Sequence, residues 1–420
     1  MKKWKKVLCS VIAGIMVAAL PVQAAVVDQE VKAAIETNDI PPWPKASDLM
    51  AESGLLMEFS TGTVIYSKGG DQRISPTGIT KLMTILLAVE NSALTDQVTF
   101  ADTCLAKADS ESNLGLMAGE TLTMEQCLKI MVLDKAYEVA AQVAENLGPS
   151  EAQFVAKMNE RAKAIGCENT NFTNAGGISD PNQYTTARDM TKIFREGLKN
   201  KTFRKIIRTS KLTVGPTNLN SMERSLPTYH PIRSKHSSLF DPDCMGGLFS
   251  VSQDAGSSLA TAVKKNGVIY ISVVLNDVDI NQAGVDTQYL MKYGYENFQK
   301  ISVEGGSVVI PNGMSVADLQ ISERKSGDKV RQFYAVDNYR VGRGVKQAAV
   351  PAPEVRSDEQ ITEGQTEGTK QTPVEEAKEN GLSDTARMLL GVMAVMVLIL
   401  IILCILLAIK DHKERRYYED

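Results

Sequence analysis

The sequence predicts an α+β fold, an α/β mixture in which helices are inserted between the strands of one sheet. Two hairpin signals predict the sheet. Apolar runs at 54–58 and 63–66 flank a Ser-Thr-Gly turn near the start of the main domain. Runs at 257–263 and 268–275 flank Asn266-Gly267 near its end, and Asn-Gly is a strong hairpin turn. Because strands and helices do not alternate along the chain, a β-α-β order is not predicted.

Apolar residues at helical spacing fill the region between the two hairpins. A buried helix is predicted over 79–90, where Ile, Leu and Met recur with the period of a helix. Further helices are predicted over 123–131, 136–147 and 150–165. Beyond about residue 301, short alternating apolar runs indicate a small β unit that ends near 350.

The composition excludes several classes of protein. The chain has 420 residues, 43% apolar and 23% charged, which is a globular composition with length for two or three domains. Lys and Arg total 46 against 50 Asp and Glu, so the formal net charge is -4 and no nucleic acid partner is expected. His230, His236 and His412 fit no zinc-ligand spacing, and no Gly-rich phosphate loop occurs. Neither a metal nor a cofactor is therefore predicted.

The two ends of the chain predict export and membrane attachment. Lysines near the N-terminus precede an apolar run from Val7 to Leu20 and a small-residue cleavage pattern, which is typical of a secretory signal peptide. That run is short for a membrane span of about 20 residues, so an uncleaved anchor is the less favoured alternative. Residues 388–409 carry no charge and precede a basic tail, which predicts a single transmembrane helix with a cytoplasmic C-terminus. The main domain is then expected outside the cell membrane.

The predicted segments follow from these signals. Residues 351–384 hold nine acidic and three basic residues with little to bury, which predicts an extended, disordered linker. The segments are a signal peptide (1–24), an N-terminal extension (25–44), a main domain (45–300), a small β domain (301–350), the acidic linker (351–384), a transmembrane helix (388–409) and a cytoplasmic tail (410–420).

Four cysteines belong to the exported part, Cys104, Cys127, Cys167 and Cys244. Disulfides persist in oxidising compartments, so one or two bridges stay open as an alternative. The wide spacing does not resemble a disulfide framework, however, and buried free thiols are favoured.

The order of motifs resembles a known family, the serine-type D-alanyl-D-alanine carboxypeptidases of peptidase family S11, which are low-molecular-weight penicillin-binding proteins. The segments that carry the resemblance are Gly62–Tyr66, Arg73–Thr84, 113–116, 119–120, 169–172, 180–182, 184–187 and 189–190. The resemblance covers the main domain. It implies a DD-peptidase fold like that of the β-lactamases, with an antiparallel sheet flanked by helices, a small C-terminal β domain and a C-terminal transmembrane helix.

The resemblance also implies three catalytic motifs, and each falls on altered residues in this chain. The first is S-x-x-K, in which the serine attacks the peptide carbonyl and the lysine one helical turn later takes its proton. Lys81 keeps the lysine position, but Gly78 stands at the nucleophile position. Glycine has no side-chain atom that can attack, and its low helix propensity does not explain its presence.

The other two motifs recognise substrate and relay the proton. In S-x-N the serine and asparagine positions are taken by Lys135 and Tyr137, so an amine and a phenol replace a hydroxyl and an amide. In K-T-G the family's cation and hydroxyl receive the substrate carboxylate. Leu248, Phe249 and Ser250 occupy that motif here, so the charge that would recognise a carboxylate is missing.

Two other interpretations of the motifs are open. If the register were wrong, a Ser with a Lys three residues later should occur elsewhere, but Ser322 and Ser326 are the candidates and lie in a polar turn of the β unit. Alternatively, Thr77 could act as a fallback nucleophile, since it lies four residues before Lys81 on one helical face. The simpler expectation is that Ser75 is the N-cap and Thr77 a first-turn residue, and that packing or a new carboxylate retains Lys81.

The sequence thus predicts a membrane-anchored homologue of the carboxypeptidases that acts in cell-wall metabolism and has lost the covalent chemistry. Its expected partners are a peptidoglycan stem peptide or a cell-wall protein. Two alternatives stay open: a weakly active D-Ala-D-Ala carboxypeptidase, and a structural partner in a membrane complex.

Overall fold

The computed structural model describes residues 33–108 and 114–347. The predicted signal peptide, acidic linker, transmembrane helix and cytoplasmic tail lie outside these residues. Within the described ranges no helix is long and apolar enough to cross a membrane.

The described part of the chain forms fourteen strands and eight α-helices. The strands are β1 (Ser53–Glu58), β2 (Val64–Lys68), β3 (Gln97–Thr99), β4 (Thr121–Thr123), β5 (Lys211–Val214), β6 (Arg224–Pro227), β7 (Cys244–Val251), β8 (Ser257–Lys265), β9 (Val268–Asp277), β10 (Phe298–Val303), β11 (Gly306–Pro311), β12 (Gln320–Ser326), β13 (Lys329–Val336) and β14 (Tyr339–Gln347). The helices are α1 (Lys81–Asn91), α2 (Asp102–Leu105), α3 (Met124–Leu133), α4 (Tyr137–Leu147), α5 (Glu151–Ile165), α6 (Ala187–Lys199), α7 (Lys201–Ile207) and α8 (Ile280–Asn297).

The main sheet joins the first hairpin of the domain to the last. Its five strands are antiparallel in the order β2-β1-β9-β8-β7. Both predicted hairpins are confirmed, β1 with β2 and β8 with β9. Asn266 and Gly267 have φ angles of 51° and 78°, the left-handed conformations that a tight two-residue hairpin turn requires. The predicted α+β class is therefore confirmed.

Both faces of the main sheet are buried. Neighbouring residues of one strand point to opposite faces, so Leu55 packs in the core formed with α1 and α3 to α7, whereas Leu56 packs in a second core with α8. Val273 and Val274 divide in the same way on β9. A sheet covered on both sides reads as continuous apolar runs, which is the pattern that the sequence shows.

The helices begin near their predicted starts because the residues that cap them are close neighbours in the sequence. Thr123 caps α3 in a capping box with Gln126, and the Ser150 side chain accepts a hydrogen bond from the Gln153 backbone N–H at the start of α5. The first predicted helix differs. It opens with a 3-10 turn, Thr77–Thr80, before α1 begins.

The prediction that Ser75 caps this helix is wrong. Pro76 occupies the cap position, and no side chain makes a capping hydrogen bond there. Thr77 has a φ angle of 45°, so its backbone is left-handed and it does not belong to a regular first turn. The expectation that Thr77 and Lys81 share one helical face therefore fails as well.

The second sheet forms the small β domain and begins at Phe298. Its strands are antiparallel in the order β10-β11-β14-β13-β12. Trp43 lies between the two sheets, with its ring centroid 5.1 Å from that of Phe298 and 5.3 Å from that of Tyr339, and its indole N–H donates to the Ile65 carbonyl. A residue of the predicted N-terminal extension thus helps to join the main domain to the β domain.

The alternative nucleophiles of the β domain lie on strands. The segment around Ser322 and Ser326 was expected to be a polar turn, but both serines belong to β12, which pairs with β13. This strand is exposed along its whole length. Neither serine is buried at the start of a helix, where the resemblance requires the nucleophile.

A buried carboxylate links the main sheet to the β domain. Glu58 at the end of β1 accepts hydrogen bonds from the Ser60 hydroxyl and from the Thr61 N–H and hydroxyl, and lies 3.2 Å from the Lys300 ammonium on β10. Burial alone would raise the pKa of Glu58, but these hydrogen bonds and the lysine charge hold that pKa below its usual value. Cys104, Cys127, Cys167 and Cys244 are buried free thiols, as the sequence favoured.

Candidate functional site

The fold brings the three altered motifs together. Gly78 and Lys81 lie where the 3-10 turn leads into α1, Lys135 and Tyr137 lie where α3 passes into α4, and Leu248 to Ser250 lie on the edge strand β7. Gly78, Lys81, Leu248 and Ser250 are buried. Lys135, Tyr137 and Phe249 are partly exposed.

A backbone hydrogen bond joins Gly78 to Ser250. The backbone N–H of Gly78 donates to the Ser250 hydroxyl oxygen at 2.8 Å. A Cβ atom built on Gly78 would lie 2.9 Å from that oxygen and 3.4 Å from the Ser250 Cβ. A residue with a side chain at position 78 therefore requires the Ser250 hydroxyl to move, whereas glycine fits against it without any shift.

This contact occupies a backbone donor that catalysis needs. In serine hydrolases the N–H of the nucleophile is one donor of the oxyanion hole, which stabilises negative charge on the reacting oxygen. At Gly78 that N–H already has an internal acceptor. The position thus lacks both the attacking atom and a free oxyanion donor.

Lys81 is held by main-chain carbonyls. Its ammonium donates to the carbonyl oxygens of Asp134 and Lys135 at 2.6 and 2.7 Å. These contacts agree with the expectation that packing retains Lys81, and two nearby carboxylates, Asp134 and Glu138, also act on its charge. Burial lowers the pKa of Lys81 to about 8, while the charges of Asp134 and Glu138 oppose this decrease. At neutral pH the protonated form predominates, and an ammonium cannot act as a general base.

Among the residues that the structure describes, no base is hydrogen-bonded to Thr77. Its side chain is 4% exposed, and its hydroxyl has no hydrogen-bond partner among the described residues. A loop also lies against its backbone, because a Cβ on Gly177 would lie 1.8 Å from the Thr77 carbonyl oxygen. A nucleophile needs an adjacent base for activation, and this geometry offers none.

Tyr137 fills space beside the same loop. It opens α4 directly after Ala136, whose φ of 42° and ψ of 50° are left-handed. A Cβ on Gly176 would lie 3.1 Å from the Tyr137 Cδ1 atom. The phenol ring therefore packs against glycine backbone where the resemblance places a small amide.

A cleft of about 700 Å³ adjoins the site. Lys135 and Phe249 line it, whereas Gly78, Lys81 and Leu248 are not part of its lining. Its wall carries two exposed apolar side chains, Met222 (72% exposed) and Tyr229 (65%). The ring of Tyr229 lies 6.3 Å from that of Phe249, centroid to centroid, in an edge-on arrangement.

A buried ion pair fixes one wall of this cleft. Arg224 on β6 donates to both carboxylate oxygens of Glu120, at 2.7 and 3.0 Å, and Glu120 is fully buried. The Thr217 hydroxyl donates to the same carboxylate. This bidentate geometry is rigid, so the wall formed by β6 is preorganised.

No metal site accompanies the cleft within the ranges 33–108 and 114–347, where no group of three or more His, Cys, Asp or Glu side chains could hold an ion. His230 is buried behind β7, and burial lowers its pKa to about 4, which leaves the imidazole neutral at pH 7.

Sequence reasoning missed the Gly78–Ser250 hydrogen bond and the apolar wall of the cleft. A signal for the first was present, because glycine replaces the family's serine while serine replaces the glycine of K-T-G. This reciprocal exchange of small residues predicts a spatial contact. Met222 and Tyr229 lie in a polar stretch without periodicity, which gave no such signal.

Comparison with known proteins agrees with the fold. The sequence profile of the D-alanyl-D-alanine carboxypeptidases, peptidase family S11, matches residues 40–279, more than half of the chain. A D-alanyl-D-alanine carboxypeptidase of Streptomyces sp. (strain K15) is 29% identical over 259 residues, which cover 59% of this chain and 88% of that protein. The carboxypeptidase DacF of Bacillus subtilis (strain 168) is 33% identical over 154 residues, 36% of this chain and 39% of that protein.

A solved structure resembles the whole described region. Penicillin binding protein 5 from Haemophilus influenzae aligns with a TM-score of 0.62 at 20% identity, over 72% of this chain and 98% of that one. This likeness supports the fold, including the C-terminal β domain. Together with the profile match across the main domain, it identifies the chain as a member of the D-alanyl-D-alanine carboxypeptidase family, peptidase family S11.

Proposed function

We propose that this protein is a pseudoenzyme of cell-wall metabolism, which binds a wall peptide or a wall protein without cleaving it. The observation that carries the proposal is the hydrogen bond from the Gly78 N–H to the Ser250 hydroxyl. It supports a site that is closed where the family's chemistry would occur. The neighbouring cleft supports a retained binding surface.

The loss of chemistry rests on three separate features. Gly78 supplies no nucleophile, Lys81 is a buried cation held by two carbonyls, and Leu248 stands where a carboxylate would need a cation. Leaving a carboxylate desolvated against an apolar side chain costs several kcal/mol. Each of these three features alone would prevent the reaction.

The cleft offers chemistry suited to a peptide. Met222, Tyr229 and Phe249 provide apolar and aromatic contact area, while Asn220 and Ser225 add polar side chains that a peptide backbone can meet. Aromatic side chains such as Tyr are frequent binding hot spots. A stem peptide or an extended segment of a wall protein fits this mixture.

A weakly active carboxypeptidase that uses Thr77 remains the second candidate. It would cut the terminal D-Ala from stem peptides, as the names of the relatives imply for those proteins. The orphaned, buried hydroxyl of Thr77 and the absence of a base beside it among the described residues argue against this activity. A structural role in a membrane complex is the third candidate.

We further propose that the protein is exported and anchored. The charge-free segment 388–409 and its basic flank support a single span with the main domain outside and residues 410–420 in the cytoplasm.

The first prediction tests the cleft. Full-length protein should co-sediment with purified peptidoglycan, and the double variant Met222→Ala, Tyr229→Ala should bind about tenfold more weakly because two exposed contact side chains are lost. The matched control is Val278→Ala, Val285→Ala, which removes two exposed apolar side chains outside the cleft and should leave binding unchanged. Equal weakening by both pairs, or no sedimentation of the unmodified chain, would contradict peptidoglycan binding. Capture of a wall protein instead would favour the second form of the proposal, in which the ligand is a wall protein.

The second prediction concerns Gly78→Ser. The new Cβ meets the Ser250 oxygen, so this variant should lower the free energy of unfolding by about 1–3 kcal/mol. Adding Ser250→Gly removes the obstacle, so the double variant should lose less stability than the sum of the single variants, in denaturant unfolding. The control combines Gly78→Ser with Ser250→Ala, which removes the hydroxyl but keeps the Cβ of residue 250. This double variant should recover only part of the lost free energy of unfolding.

The same series tests activity. Gly78→Ser alone should release no D-Ala from diacetyl-Lys-D-Ala-D-Ala, because Leu248 and Phe249 still lack the groups that hold the substrate carboxylate. Release is expected only after all the positions of the three motifs are changed, namely Gly78→Ser, Lys135→Ser, Tyr137→Asn, Leu248→Lys, Phe249→Thr and Ser250→Gly. Robust turnover by the single variant would show that the register of the second and third motifs is wrong.

The third prediction tests anchoring. Protease added to intact cells stripped of wall should cut within 351–384 and release the extracytoplasmic part, because this acidic segment has little to bury. A tag placed after Asp420 should stay inside, protected. As a control, a chain that ends before residue 388 should be found in the medium without protease. Digestion of the tag would contradict the proposed orientation.

A further inference from the structure

A groove of about 630 Å³ on the main domain is lined almost entirely by cations. Seven of its ten lining residues are Lys or Arg, and no carboxylate is among them. Five of the cations belong to residues 201–211, which form α7 and the start of β5. The others are Lys129 on α3 and Arg233. The groove is distinct from the cleft beside Gly78, because the two share no lining residue.

Two arginines are held in place without being neutralised. Arg233 donates to the carbonyl oxygens of Arg208, at 3.1 and 3.3 Å, and of Cys244, at 3.4 Å. Arg204 donates to the carbonyl of Lys199 at 3.1 Å and to that of Leu198. Carbonyl acceptors fix the guanidinium groups but carry no net charge. Both cations therefore retain their full charge in fixed positions.

The remaining cations have little counter-charge. Lys129 and Lys205 share one carboxylate, Glu125, at 3.0 and 2.9 Å. Lys201, Arg208 and Lys211 are exposed, and none of the three forms an ion pair with the residues that the structure describes. Among the described residues, the seven cations of the groove thus form ion pairs with one carboxylate, Glu125.

Helix stability does not explain this arrangement. Cations near the end of α7 interact favourably with its C-terminal dipole, which accounts for Arg204 and Lys205. Lys201 is the first residue of α7, where the dipole disfavours a positive charge. Lys211 lies beyond the helix altogether. A solvated surface would also be expected to mix both signs of charge.

The floor of the groove is built from closely packed backbone. Gly246 on β7 has a φ of 118°, and a Cβ there would lie 2.1 Å from the carbonyl oxygen of Ile207. Strand β7 therefore lies directly against the end of α7, and the guanidinium of Arg233 bridges these two elements. The cations are presented on a rigid base, which lowers the entropy cost of binding a ligand.

From these observations we infer that the groove binds a linear polyanion with repeating phosphate groups and no bases. Lys and Arg are the residues that bind phosphate, and a groove accepts a chain. No aromatic side chain lines it, so it offers no platform for base stacking, as single-stranded nucleic acid would need. Its only apolar lining residue is Met245, which is half-buried, so it has no exposed apolar side chain to insert into a membrane.

The test is the binding of linear inorganic polyphosphate to the full-length protein in neutral detergent, measured over a range of salt concentrations. The unmodified chain should bind, with affinity that falls steeply as salt rises. The triple variant Lys201→Glu, Arg208→Glu, Lys211→Glu should bind at least about tenfold more weakly. The slope of log affinity against log salt concentration should be smaller in magnitude by about 2 to 3, because each lost phosphate contact removes somewhat less than one unit of this slope. These side chains are exposed, so the variant should keep its thermal unfolding midpoint.

The control variant Lys163→Glu, Lys264→Glu, Lys292→Glu has the same change of net charge at exposed positions outside the groove. It should retain most of the affinity and nearly the full salt slope. Equal losses in the two triple variants would overturn the inference, because net charge alone would then explain binding. Tighter binding to a single-stranded oligonucleotide, or to vesicles rich in phosphatidylglycerol, than to polyphosphate would also overturn it in favour of nucleic acid or membrane.

Discussion

The close approach of strand β7 to the nucleophile position is the constraint on which the site depends. The Gly78 nitrogen and the Ser250 hydroxyl oxygen are 2.8 Å apart, so a side chain at position 78 requires that hydroxyl to move. The same hydrogen bond satisfies a buried N–H that would otherwise cost about 1–3 kcal/mol. Glycine at one position and serine at the other therefore support each other. A single substitution disturbs a buried contact before it can restore any chemistry.

The rest of the site is consistent with this change of role. In a working member of the family the lysine of S-x-x-K must exchange a proton, whereas Lys81 here fastens the carbonyls of Asp134 and Lys135 to the start of α1. Tyr137 fills the space beside the loop at 176–177. The residues at the positions of the three motifs thus contact one another and a neighbouring loop, while Lys135 and Phe249 line an accessible cleft.

Local patterns in the sequence were sufficient for much of the fold and for only part of the site. The hairpin at Asn266-Gly267 and the caps at Thr123 and Ser150 depend on neighbouring residues, so they could be predicted. Helix α8 could not, because its buried face is made largely of small and polar residues such as Ala283, Gly284 and Thr287, which give no apolar stripe. Helix α6 has apolar residues at helical spacing, so its sequence does encode it. Gly78 and Ser250 are 172 residues apart, so their contact is a tertiary fact that no local pattern encodes.

The most direct test of the account is whether the protein can be acylated. β-Lactams resemble the D-Ala-D-Ala terminus and acylate the family's serine, so intact-mass spectrometry after incubation with benzylpenicillin reports on the nucleophile position. The account predicts no increase in mass for the full-length chain, because Gly78 offers no attacking atom and its N–H is already bonded. A stoichiometric increase would contradict the loss of chemistry, and an adduct mapped to Thr77 would show that this residue has replaced the missing serine.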